Sequence, residues 1–141
     1  MRRSLLVLLA LVIPSLACDN SSSSGVTTPT VPLTSQTFTG TVDVGGSSSN
    51  TTFIVATSGE VDITLTAIGP PPNIIMGMAI GIPSTTDSSC TAPASAGQQV
   101  QASTTPLVGT LQAGSYCVKL YDIGFMSAGS QVSYTITVAH P

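Results

Sequence analysis

The sequence predicts an all-β fold, a single sandwich of about seven or eight antiparallel strands of jelly-roll or immunoglobulin-like type. Three observations support this. After residue 35, apolar side chains recur at every second position, as in strands with one buried face. The apolar segments are short and separated by glycine, proline, serine and asparagine. No segment beyond the first 17 residues has the apolar spacing of a helix.

The first three strands are predicted between residues 38 and 66. Gly45-Gly46-Ser47 ends the first strand, and Ser58-Gly59 forms a turn before the third. Threonine and aspartate alternate with the apolar residues, so the outer faces are expected to be polar. The predicted inward residues are Phe38, Gly40, Val42, Val44, Phe53, Val55, Val61, Ile63 and Leu65.

A proline-rich break at 69–73 precedes a strongly apolar strand at 74–82. Its glycines and isoleucines disfavour a helix. One face carries the larger side chains Ile74, Met76, Met78, Ile80 and Ile82. The other carries Ile75, Gly77, Ala79 and Gly81, which indicates either close approach of another backbone or a shallow outer surface. We expect the two methionines to pack in the core.

The remaining chain is predicted to form three more strands after a long polar excursion at 83–104. Such excursions are either functional or poorly ordered. A short strand follows at 107–111, then one from Tyr116 and a last one at 132–138. The predicted inward residues of the last two strands are Tyr116, Val118, Leu120, Val132, Tyr134, Ile136 and Val138, and the predicted outward residues are Cys117, Lys119 and Tyr121.

The N-terminus carries an export signal. Arg2 and Arg3 precede the apolar run 5–13, which is too short to span a bilayer, and Ser15-Leu16-Ala17-Cys18 follows. This pattern resembles the signal of bacterial lipoproteins, whose cysteine is lipidated and becomes the mature N-terminus. The resemblance implies a signal peptide at 1–17 and a protein anchored in the bacterial cell envelope through acyl chains on Cys18, facing the periplasm or the exterior. The alternative is plain secretion, with cleavage near Cys18.

Residues 18–35 form a Ser/Thr/Pro-rich segment, expected to be a disordered tether, and 36–141 form the folded domain. With one lysine against six acids after the signal, the mature chain has a formal charge of −5. Nothing in such a chain could neutralise phosphates, so nucleic acid is not expected as a partner. A basic patch for anionic lipid is absent too, so membrane attachment depends on the acyl chains.

The three cysteines fit an oxidising compartment. If Cys18 is acylated, Cys90 and Cys117 are free to form a disulfide. The bond would stabilise the fold by roughly 3 to 4 kcal/mol on the chain-entropy model. A metal role for this pair is poorly supported, because no second pair and no nearby histidine exist. We expect the disulfide to fasten the long polar excursion onto the outer face of the domain.

Several segments together resemble the bacterial pre-peptidase C-terminal domain. They are 111–120 (LQAGSYCVKL), 132–138 (VSYTITV), 38–42, 53–55 and 61–65. The resemblance covers about residues 36–140 and implies a jelly-roll-like sandwich that serves as an accessory to exported enzymes. We expect no enzyme domain beside it here, which is a departure from that family. Some relatives bind calcium, but Glu60 and Asp62 alone fall short of the six to eight oxygens that calcium takes, so no metal site is expected.

No catalytic residue or cofactor is expected. His140, next to Pro141, is predicted to lie in a frayed end, which would not hold it for a Ser-His-Asp triad. A glycosidase would need two acids that face each other across a cleft. Asp62 and Asp122 are candidates for such a pair only because the sequence offers no better one, so they are not expected to be catalytic. Oxidation of Cys90 and Cys117 would leave neither as a nucleophile.

Three functions remain open at this stage. The first is a non-enzymatic, lipid-anchored envelope module with an accessory or protein-interaction role, its partner being another envelope protein. The second is a module that binds carbohydrate or another extracellular polymer, with Tyr121 and Asp122 beside the Cys90 loop as possible ligand contacts. The third, a small hydrolase, is disfavoured because no histidine or acid is predicted in a pocket.

Overall fold

The computed structural model describes residues 31–48, 50–93, 96–104 and 106–141. The predicted signal peptide, the lipidation site Cys18 and most of the predicted tether lie outside the described residues. Within the described ranges, no helix has the length and hydropathy needed to cross a membrane.

The fold is a β-sandwich, as the alternating pattern predicted. The strands of the described residues are β1 (Thr34–Asp43), β2 (Thr52–Val55), β3 (Gly59–Gly69), β4 (Met76–Pro83), β5 (Cys90–Thr91), β6 (Gln98–Val100), β7 (Leu107–Leu111), β8 (Gly114–Tyr121) and β9 (Gln131–His140). Two of them, β5 and β6, are short and lie in the segment 83–104 that was expected to be a polar excursion.

Two antiparallel sheets make up the sandwich. Sheet I has the strand order β1-β9-β3-β7, and sheet II has the order β2-β8-β4-β5, with β6 also pairing β4. Consecutive strands cross from one sheet to the other except between β4 and β6. This interleaving of a four-stranded and a five-stranded layer is jelly-roll topology.

The core lies between the sheets and consists of the inward residues of both. Its most deeply buried large side chains are Phe53, Ile63, Met76, Met78, Leu120, Ile136, Val42, Val55, Val61, Val118, Val132 and Val138. The inward prediction is wrong for Val44, which is 41% exposed because β1 ends at Asp43 and Val44 lies in the following turn. Ile82 is 59% exposed, since β4 runs past the end of the core there.

The prediction that His140 lies in a frayed end is also wrong. β9 is an inner strand that pairs with β1 on one side and β3 on the other, and His140 pairs with Thr34. The histidine is only 4% exposed, and its ring centroid lies 5.5 Å from that of Phe53. The Ala56 amide donates a hydrogen bond to the Pro141 carbonyl oxygen (3.1 Å), which holds the last described residue in place. β1 begins at Thr34, within the last two positions of the predicted tether.

Candidate functional site

The outer face of sheet II has a floor of small residues. β4 and β8 are antiparallel neighbours in which Gly77 is opposite Tyr121, Ala79 opposite Lys119, and Gly81 opposite Cys117. Between Gly77 and Gly81, this face of β4 presents only glycine and alanine. The larger side chains of β8 therefore have room to lean across β4, and a covering segment can approach its backbone.

Tyr121 fills part of this space. A Cβ atom added at Gly77 would overlap the Tyr121 ring, and one added at Gly97 would overlap the Tyr121 hydroxyl. The ring is thus held between β4 and the residues just before β6, and it is half-buried with its remaining surface exposed. Tyr121 points outward, as the alternation along β8 predicted.

The disulfide fixes the segment that covers the other end of the floor. Cys90 and Cys117 are bonded, and both are buried although Cys117 belongs to the outer face. A Cβ atom at Gly81 would overlap the carbonyl oxygen of Thr91. The sequence-based expectations of a Cys90–Cys117 bond and of another backbone close to this glycine-rich face are both confirmed.

Two cavities lie on this face and share Lys119 and Tyr121. One has a volume of about 300 Å³ and is otherwise lined by Ala79, Ala92 and Pro93. The other has a volume of about 230 Å³ and is otherwise lined by Gly45, Gly46, Ser47 and Asp122. We call the two together the Lys119–Tyr121 groove. Its first cavity adjoins the disulfide-bonded segment, since Ala92 and Pro93 follow Thr91 directly.

Lys119 stands at the junction of the two cavities. Its Nζ atom lies 5.9 Å from the centroid of the Tyr121 ring, which is within the range of a cation–π interaction. Sequence reasoning placed Lys119 outward but did not name it as a ligand contact. One signal was available: it is the only lysine or arginine after Arg3.

Asp122 lines the second cavity, but its carboxylate is engaged by the backbone. It accepts hydrogen bonds from the amides of Gly45 (2.9 Å), Gly124 (2.8 Å) and Met126 (3.3 Å). The bond from Gly45 contributes most to holding the pKa of Asp122 below its ordinary value of 3.8, and partial desolvation opposes it. Asp122 therefore links two connecting segments, and most of its acceptor capacity is used by these backbone amides.

The connection between β1 and β2 forms the other wall of the groove. Ser48 and Thr51 are buried polar residues that bond to β8: the Ser48 amide donates to the Leu120 carbonyl (2.7 Å), and the Val118 amide donates to the Thr51 carbonyl (3.1 Å). This pairing continues the edge of β2 along β8 and places Ser47 opposite Tyr121. Sequence reasoning treated this stretch as a turn, because a run of glycine and serine is typical of loops.

The other candidate residues are not brought together. Asp62 lies on β3 in sheet I, whereas Asp122 follows β8 in sheet II, so the two acids do not face each other across one cleft. Glu60 and Asp62 occur two positions apart on β3. In the part of the chain that the structure describes, no three His, Cys, Asp or Glu side chains are close enough to hold a metal ion.

No protein-family model matches this chain, and no curated protein matches it significantly. The resemblance to the pre-peptidase C-terminal domain therefore stays a prediction from the sequence.

Proposed function

We propose that this chain is a non-enzymatic binding module of the bacterial cell envelope, anchored through lipidated Cys18, that binds a saccharide polymer in the Lys119–Tyr121 groove. Of the binding functions that the sequence left open, the groove favours this one. It consists of two cavities that share Lys119 and Tyr121, which suits a ligand made of repeating units.

The observation that carries the proposal is the half-exposed Tyr121 ring between two cavities. The apolar face of a sugar ring can pack on an aromatic ring, while its hydroxyls need hydrogen-bond partners at the edge. The Lys119 ammonium supplies donors, and the Ser47 hydroxyl can both donate and accept. Because Tyr121 is held by Gly77 and Gly97, little side-chain entropy remains to be lost on binding.

The test is retention of the mature protein on insoluble chitin, cellulose and peptidoglycan. We expect retention on at least one polymer, abolished by Tyr121→Ala and preserved in Tyr121→Phe, which keeps the ring. Thr137→Ala, on β9 of the other sheet, is the matched control. Equal retention of Tyr121→Ala would refute a saccharide site at this groove, and so would failure of the wild type to bind these three polymers or any other polysaccharide tested.

A second candidate is a protein-interaction role, and one feature favours it. An apolar cleft of about 290 Å³ lies where β4 runs past the core, with Ile82 exposed beside it. Its lining residues are Ile80, Gly81, Ile82, Thr91, Pro93, Ala96, Leu111 and Tyr116. Cross-linking in the envelope separates the two functions: loss of a cross-linked partner in Ile82→Asp, with no effect of Tyr121→Ala, would favour a protein ligand.

The anchoring part of the proposal has its own test. The mass of the mature N-terminal peptide should correspond to Cys18 carrying a diacyl or triacyl modification. Cys18→Ala should move the protein from the membrane fraction to the medium or the soluble periplasm, because no other lipid anchor is proposed. An unmodified N-terminus would instead indicate a secreted protein.

A further inference from the structure

We infer that the Lys119–Tyr121 groove selects an acidic saccharide, one whose sugar units carry a carboxylate, and that the carboxylate binds in the cavity beside Pro93. The inference rests on the proposed function and adds the chemical class of its ligand. It depends on where the few charges of this domain lie.

Lys119 has no acidic partner in the part of the chain that the structure describes. Among the residues that the structure describes, no carboxylate oxygen lies within the 4.0 Å of a salt bridge to its ammonium. Among the described residues, the ammonium makes a cation–π contact with the Tyr121 ring. An ammonium that faces a cavity and has no carboxylate partner can donate its N–H groups to a ligand carboxylate. Such charge-assisted hydrogen bonds are stronger than hydrogen bonds between neutral groups.

The two cavities of the groove differ in charge. Among the described residues that line the cavity beside Ala92 and Pro93, Lys119 is the only charged one. The other cavity adds Asp122, whose negative charge would repel a carboxylate, and Ser47, whose hydroxyl can donate to and accept from sugar hydroxyls. A uronic-acid unit is therefore expected to place its carboxylate in the first cavity and hydroxyls toward the second.

The remaining acids do not cancel this preference. Asp43, Glu60 and Asp62 belong to sheet I, and Asp43 accepts a hydrogen bond from the Gln131 side-chain amide there (2.7 Å). Packed sheets are about 10 Å apart, and charges are screened beyond about 8 Å at physiological salt. Asp87 accepts from the Ser89 amide in its own turn (2.9 Å). None of these described acids lines the first cavity, whereas Lys119 does.

The experiment compares one polymer with and without its charge. Soluble polygalacturonate and its fully methyl-esterified form share a backbone, and binding of each to the mature protein is measured by affinity electrophoresis and calorimetry. We expect the wild type to bind the charged polymer about tenfold more tightly, the ratio that one charge-assisted hydrogen bond supplies. The preference should shrink as NaCl is raised from about 0.02 M to about 0.5 M.

The variants identify the residue responsible. Lys119→Gln should lower affinity for the charged polymer about tenfold more than affinity for the methyl ester, which removes the preference, and Lys119→Arg should retain the preference. Tyr121→Ala should weaken binding of both forms equally. Equal binding of both forms by the wild type, or an undiminished preference in Lys119→Gln, would overturn the inference and leave a saccharide site standing. Absence of binding to either form and to chitin, cellulose and peptidoglycan would overturn both proposals.

Discussion

The two outer faces of this sandwich contrast sharply. On sheet I, Thr137 of β9 lies opposite Thr37 of β1 and Thr64 of β3, and Thr39 pairs with Thr135. These outward side chains form rows of threonine. On sheet II the outward residues of β4 are small, and the segment around the disulfide packs over one end of them. Both faces belong to strands with the same inward alternation, yet the groove lies on the outer face of sheet II.

The difference shows what makes a site on a jelly roll. Threonine suits an exposed pleated surface, because its methyl groups pack against cross-strand neighbours and its hydroxyls meet water. A face of this kind can be exposed to solvent and needs no other segment packed on it. Glycine and alanine leave space above the strand, and a cover that fills the space only in part leaves cavities beside Lys119 and Tyr121.

The largest effect is expected from removing the Cys90–Cys117 disulfide, which holds the segment around Thr91 over β4. The double variant Cys90→Ala/Cys117→Ala should lose about 3 to 4 kcal/mol in free energy of unfolding, because the loop closed by residues 27 positions apart is no longer constrained in the unfolded chain. Urea unfolding of oxidised wild type and variant measures this. Reduced wild type should match the variant. A loss below about 1 kcal/mol would show that the cover is held mainly by its other contacts.

The next effect tests the space on β4. Gly77→Ala should destabilise the protein by about 1 to 3 kcal/mol, because the new methyl group overlaps the Tyr121 ring. The matched control is Gly109→Ala on β7, where the added Cβ would lie 3.7 Å from Ile80 Cδ1, an ordinary contact. Thermal unfolding compares the two. Adding Tyr121→Ala to Gly77→Ala should recover part of the lost stability, because it removes the ring that the new methyl group overlaps. If the double variant is no more stable than Gly77→Ala, the overlap with Tyr121 is not the cause of the destabilisation.

A smaller effect is expected at the turn beside the groove. Asp122→Asn should cost about 1 kcal/mol at neutral pH, since three amides lose a charged acceptor in an exposed setting. Because the pKa of Asp122 is lowered in the folded protein, this stability is present above the ordinary value of 3.8 and is lost as pH falls through the folded value. Unfolding from about pH 7 to about pH 2 should therefore show the two curves converging at acid pH. A constant difference would contradict the assigned role.

The smallest effect is expected on the threonine rows. Thr137→Ala should change the free energy of unfolding by about 0.5 kcal/mol or less and should leave ligand binding unchanged, because the side chain lies on the uncovered face of sheet I. Chemical denaturation and the polymer-binding assay measure both. A loss well above this, or an effect on binding, would mean that the two faces are less distinct than their composition indicates.

The fold could be predicted from the sequence to the extent that it depends on local alternation. Val118, Leu120, Ile136 and Val138 are buried as the period of two requires. His140 was misplaced because its burial comes from pairing with Thr34, more than a hundred positions away, and no local pattern reports such pairing. Of the candidate site, Tyr121 and the disulfide were predicted, whereas the contributions of Lys119 and Ser47 were not.

The order of residues along the chain was enough to establish an all-β sandwich, a polar outer surface and a bond between two cysteines, because strand burial and cysteine count are local or compositional properties. Which strands became neighbours was decided by the packing of distant segments. That packing put Gly77 beneath Tyr121 and brought Pro93 and Ser47 to opposite sides of Lys119. A groove made from three separated segments exists only once the sheets have formed, so its shape and charge could be read only from the folded chain.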